Sequence, residues 1–77
     1  MSVSEKVFEI VSKSFGMKAS DLTESTNLLE DLNAKSTNYF PIMNELEEEY
    51  DLELQYQTFR SGCRTIKEII SMVEESI

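Results

Sequence analysis

The chain has 77 residues, 40% of them apolar, and sets 15 acidic against 7 basic side chains for a formal net charge of -8. That is enough for one domain near the lower size limit of a self-sufficient core, so residues 1–77 are read as a single unit. The charge argues against a nucleic-acid binder, which needs Lys and Arg to neutralise phosphates, and against docking on anionic lipid; it favours basic protein partners.

A single cysteine, Cys63, makes an internal disulfide impossible, and with no histidine a zinc site has almost no ligands to draw on. Cys63 is expected to be an incidental thiol, and no metal site is expected. The first ten residues, MSVSEKVFEI, contain neither a basic leader nor an apolar run suited to export, and no segment approaches the roughly 20 apolar residues of a membrane span. The expected location is cytoplasmic.

Ser2 and Glu5 have the spacing of a capping box, and Val3, Val7, Ile10, Val11 and Phe15 then keep helical period as far as Gly16, a fitting stop. From Met17 to Asn27 the periodicity disappears into small and hydroxyl residues, with Leu22 as the expected anchor. A connection of this length in a small domain is expected to contain local turns, and a short helical turn is placed near Asn27 to Leu32, with Glu30 and Asp31 facing solvent.

In the central stretch, Tyr39, Ile42, Met43, Leu46 and Tyr50 mark one helix face, with Asn44, Glu45, Glu47, Glu48 and Asp51 opposite. Ser36, Thr37 and Asn38 are all competent N-caps. Pro41 settles the choice by sequence alone: a proline is tolerated in the first turn and costs about 3 kcal/mol or more in an interior, so the helix is expected to start late, with Asn38 as N-cap and Ser36 and Thr37 in a loop.

Asp51 to Gln55 alternates polar and apolar, but with no second strand to pair with it the segment is expected to be extended chain pinned by Leu52 and Leu54. Tyr56 and Phe59 make one more turn before Ser61-Gly62 breaks it. Thr65 and Glu68 form a second capping box, opening a last helix with Ile66, Ile69, Ile70, Val73 and Ile77 on one face. The expected fold is all-α, a small bundle of three long helices plus one short helix.

Intrinsic catalysis is hard to build from these residues. A serine nucleophile needs a positioned base, histidine is absent, and Lys35 next to Ser36 is badly placed to serve as one, so no catalytic residue is assigned. The acids from Glu45 to Glu53 read first as a solvated face, and they lack the regular oxygen spacing of a calcium loop. Tyr39, Phe40, Met43 and Met72 read first as core filling.

The string Leu32-Asn33-Ala34-Lys35-Ser36-Thr37, followed without a gap by Leu46-Glu47-Glu48-Glu49-Tyr50, resembles an acyl carrier protein, where typical members read Leu-Gly-Ala-Asp-Ser-Leu and Leu-Glu-Glu-Glu-Phe. The resemblance covers nearly all of the chain. It departs from the pattern where Lys35 replaces aspartate, Thr37 replaces leucine and Pro41 enters the helix.

The resemblance implies an acyl-carrier-like bundle in which Ser36 holds a covalent 4'-phosphopantetheine, whose thiol carries an acyl group as a thioester for fatty-acid, lipid or specialised acyl metabolism. It implies a phosphopantetheinyl transferase and acyl-loading and acyl-transfer enzymes with basic docking surfaces as partners of a monomeric carrier. Lys35, Thr37, Asn38, Glu45, Glu47 and Glu48 are then the partner-docking candidates. Tyr39, Phe40, Met43, Leu46, Ile70 and Met72 become candidates to line an expandable acyl pocket, since methionine adapts its shape at little cost. Two alternatives stay open: a carrier of aminoacyl or peptidyl groups, and a helical interaction domain without the arm.

Overall fold

The computed structural model describes residues 2–77. Four helices follow in order, α1 (Val3–Phe15), α2 (Ser36–Tyr50), α3 (Tyr56–Gly62) and α4 (Ile66–Ser76), with a 3-10 turn at Ala19–Asp21 inside the long first connection. Three helices of 13, 15 and 11 residues and one of 7 make the expected all-α bundle. Among the described residues no strand forms; the only pairing of that kind is an isolated bridge between Asn27 and Thr65.

Both ends of α1 are as the sequence predicts. Ser2 Oγ accepts from the Glu5 amide at 3.2 Å, and Gly16 closes the helix in the left-handed region at φ 64, with the Met17 amide donating to the Ser12 carbonyl at 2.9 Å. The α4 capping box is complete: Thr65 Oγ1 accepts from the Glu68 amide and Glu68 Oε1 accepts from the Thr65 amide. An isolated helix of this length is marginal in water. Its stability comes from Ile66, Ile69, Ile70 and Val73, all buried, each worth about 1.5–3 kcal/mol in removed apolar surface. Ile77, expected on that face, is 63% exposed beyond the helix end.

Helix α1 packs on α2 and α4, and α2 packs on α3. The core joins Val7, Val11, Leu28, Tyr39, Ile42 and Leu46 to the α4 isoleucines. The first connection is anchored by Leu22 and Leu28, both buried, and it leans on the start of α4: Leu28 donates to the Arg64 carbonyl at 2.7 Å, and Ile66 and Lys67 donate to the carbonyls of Thr26 and Glu24. The expected turn near Asn27 is present, with the Asp31 amide reaching the Asn27 carbonyl at 2.8 Å. The 3-10 turn was not expected, since three residues are too short to show a period.

Helix α2 departs from expectation at its start. It begins at Ser36, with Lys35 in the N-cap position, so Ser36 and Thr37 lie in the first turn and Asn38 is the third helical residue rather than the cap. Asn38 is drawn inside because its Oδ1 reaches back to the Lys35 amide at 3.0 Å, the return half of a capping box. Pro41 is therefore the sixth helical residue. It withdraws the amide that Thr37's carbonyl would use, but both residues are exposed, so water can serve the freed oxygen.

At the other end Asp51 turns left-handed at φ 55, and Leu52 donates to the Glu47 carbonyl at 3.2 Å. Residues 52–55 form neither helix nor strand, with Gln55 extended, and are held by the Leu54 amide on Glu47 Oε2 at 2.9 Å. Ser61 Oγ bonds back to the Gln57 carbonyl, and α3 runs through Ser61 to end at Gly62.

Candidate functional site at the start of helix α2

Ser36 is delivered by a tied turn. Asn27 Oδ1 accepts from the amides of Leu29 and Glu30, both at 2.9 Å, and Asp31 Oδ2 accepts from the Asn27 amide at 2.9 Å. Glu30 and Asp31 are exposed as expected, but Asp31 also closes this turn. Asn33 takes the left-handed conformation, φ 52, that favours glycine and that asparagine tolerates. Ala34 is buried, its amide on the Leu28 carbonyl at 2.8 Å, and Lys35 then runs extended into α2.

Ser36 itself is exposed as the first helical residue. The simplest role for a serine at this point in a sequence is to cap the helix, and here Lys35 occupies the cap position instead. The amides at a helix start have no partner within the helix, and the dipole leaves partial positive charge there. No acid lies in the first turn of α2. The serine oxygen thus stands in the open at a place suited to an anionic group.

The remaining candidate residues divide by geometry. Lys35 and Thr37 are exposed beside Ser36. Asn38 is half-buried and bonded to Ser14 on α1, which makes it a tie between helices before it is a docking residue. Glu45 pairs with Lys13 at 3.3 Å and Glu47 holds the Leu54 amide, so two of the three acids proposed for docking have partners inside the molecule. Glu48 is exposed. Glu49, on the same helix, pairs with Lys6 at 3.5 Å, and Glu49 and then Glu9 raise the Lys6 pKa above its ordinary value.

Of the six pocket candidates, Tyr39, Met43, Leu46 and Ile70 are buried together in the core and Met72 is half-buried against it. Phe40 is not; it is 48% exposed, its ring 4.9 Å from that of Tyr56. Phe40 also follows Ser36 by one helical turn, so the two share a face of α2. Tyr39 meets the rings of Tyr56 and Phe59 edge-on at 6.1 and 5.9 Å, and its buried hydroxyl has no hydrogen-bond partner. An open groove of about 640 Å³ lies elsewhere, between residues 53–55, α3 and α4, with Leu54, Phe59, Cys63 and, alone of the candidates, Met72 on its walls. Burial pushes the Cys63 thiol up to about 11, with Glu68 adding to the shift, so it is an unreactive protonated thiol at neutral pH.

Sequence reasoning missed the cationic residues of α3 and its C-terminal end. Arg60 lies over the Tyr56 ring, 6.0 Å from its centroid, and its Nη1 donates to the Tyr56 hydroxyl at 3.1 Å. Arg60 and Arg64 line one shallow cleft with Tyr56, Gln57, Ser61 and Leu29. Tyr56 and Arg60 at i, i+4 were a legible pair, but nothing in the linear pattern puts them against Phe40.

The chain is 34% identical over 76 residues to an acyl carrier protein of Streptococcus pneumoniae serotype 4, a match covering 97% of this chain and 96% of that protein. It is 31% identical over 75 residues to an acyl carrier protein of Streptococcus pyogenes serotype M1, with the same coverage, and 30% identical over 76 residues to one from Lactococcus lactis subsp. cremoris, covering 99% of each. No family model matches the chain.

Proposed function

The chain belongs to the acyl carrier protein family, and from that premise we propose that it carries its acyl group on a 4'-phosphopantetheine arm attached to Ser36. The observation that supports this reading is the placement of Ser36: first residue of α2, exposed, relieved of capping by Lys35, and aligned with the family's serine within Leu32-Asn33-Ala34-Lys35-Ser36-Thr37.

The residues present fit the group. A phosphodiester on Ser36 Oγ would meet the amides of Ser36 and Thr37, the positive end of the helix dipole and the Lys35 ammonium, with no first-turn carboxylate to repel it. When bound, the arm supplies a thiol on which an acyl group travels as a thioester. This chain's part is to hold the serine oxygen in the open and to offer partner enzymes a surface around it. With no histidine in the chain, the base that takes the serine proton comes from the transferase that installs the arm. As a family member the protein is a carrier that hands its cargo to acyl-handling enzymes.

Incubation with coenzyme A and a phosphopantetheinyl transferase, followed by intact-mass measurement, tests the assignment. The wild type gains the mass of one arm and Ser36→Ala gains none. Loading of the alanine variant, or no loading of the wild type in its native host, would overturn it.

A further inference from the structure

At the start of α2 and along α3 the charge runs against that of the whole molecule, although Glu30 and Asp31 are exposed on the turn before Ser36. The protein carries -8 overall, yet α3 contains no acid and the first turn of α2 contains none. Lys35, Arg60 and Arg64 are exposed, and among the described residues none of them pairs with a carboxylate. The cations that are paired, Lys6 and Lys13, sit on α1, where they engage Glu49 and Glu45. Helix α2 therefore directs part of its negative charge along the seam with α1 and leaves its serine end without any.

The same end carries an exposed aromatic. Among the described residues Phe40 and Ile77 are the large apolar side chains left exposed, and Ile77 stands at the far end of α4. Phe40 lies one turn beyond Ser36 and rests on Tyr56, which in turn is bonded to Arg60. Phe40, Tyr56 and Arg60 are thus in contact, with Ser36 one turn before Phe40 on the same helix face and Arg64 lining one cleft with Tyr56 and Arg60. Aromatic residues and arginine are the side chains that interfaces favour, and a half-exposed Phe supported by a fixed ring loses little conformational entropy on being covered.

Resting on the reading of Ser36 as the loaded residue, we propose that Phe40, Tyr56, Arg60 and Arg64 form a docking face for partner proteins that present carboxylates around an apolar socket. Such a surface is attracted to this face and repelled by the net -8 of the molecule as a whole, so the charge pattern favours the orientation in which the arm points at the partner. A basic docking surface meets the reverse at this face: like charge at Lys35, Arg60 and Arg64, while Glu45 and Glu47 of α2 already hold internal partners. Nucleic acid and anionic lipid carry the right sign for this face, but a body of -8 repels the extended charge of either.

The test uses the full chain, loaded and checked by intact mass, with the photo-crosslinker p-benzoylphenylalanine at the exposed Gln57 and irradiation in the native host. The expected cross-link lands on a protein surface rich in Asp and Glu. Its yield falls about tenfold in Arg60→Glu with Arg64→Glu, and falls also in Phe40→Ser, a change at an exposed position that leaves the core intact. Attachment to a basic surface, to nucleic acid or to lipid, no cross-link, or a yield unchanged in the charge-reversed chain overturns the docking face. Loading is read separately for each variant, so a failure of Ser36 to load is distinguished from a failure of the loaded chain to dock as proposed.

Discussion

Ser14 and Asn38 hold each other twice: Ser14 Oγ donates to the Asn38 carbonyl at 2.6 Å, and Asn38 Nδ2 donates to the Ser14 carbonyl at 3.3 Å. The pair ties the end of α1 to the first turn of α2, and Asn38 Oδ1 holds the Lys35 amide as well. The direction in which Ser36 leaves the surface is set by this knot. Asn38→Ala, which removes the two side-chain bonds of Asn38, should lower the unfolding free energy by about 2 kcal/mol, and Ser14→Ala by about 1 kcal/mol. In urea titrations the double variant should lose less than the sum, since both changes break one network. Strict additivity would show that the two residues act independently.

Pro41 is a second expectation that stability measurements can check. It sits past the first turn of α2, where its ring leaves the Thr37 carbonyl without a helical partner. Pro41→Ala restores that bond and a residue of the highest helix propensity, and should raise stability by about 1–3 kcal/mol. An unchanged or lower melting temperature would mean that the proline's restriction of the unfolded chain outweighs its cost in the helix.

Tyr39 buries its whole side chain and leaves its hydroxyl without a partner. The aromatic contacts to Tyr56 and Phe59 need the ring alone. Tyr39→Phe keeps them and removes an unsatisfied buried polar group, so stability should rise by about 1 kcal/mol. A loss of that size would reveal that the hydroxyl is served by a partner such as ordered water.

Alkaline pH should destabilise the fold in a defined window. The Cys63 pKa stands at about 11 in the folded protein against 9.0 as its ordinary value, through burial first and Glu68 second. The folded state therefore holds its proton more tightly, and this contribution is complete below pH 9.0 and is lost as pH rises to about 11. Burial raises the Tyr39 pKa above 10.0 and acts in the same direction from a higher starting point. The unfolding free energy from urea titrations should be flat approaching pH 9 and then fall, by up to about 3 kcal/mol from Cys63. In Cys63→Ala the fall should begin later. A free energy that stays flat above pH 10 would contradict the burial of both groups.

The sequence by itself determined the parts governed by local chemistry. The capping residues Ser2 and Thr65, the stop at Gly16 and the period of the isoleucines in α4 act within one or two turns, so the linear order displays them. The family motif around Ser36 was legible for the same reason. The start of α2 was decided by two sets of Asn38 contacts, the Lys35 amide three residues back and Ser14, 24 positions away in the chain, and only the tertiary structure shows the second. The fate of the acids was decided there too: Glu45 and Glu49 look alike in sequence to Glu48, and only packing on α1 brings Lys13 and Lys6 within reach of them. Phe40 was read with Tyr39 as core because adjacent residues share hydrophobicity, but a turn of 100° per residue sends one ring inward and the other out onto Tyr56. Such relations depend on which helix lies against which, and that is fixed by the burial of the whole core at once.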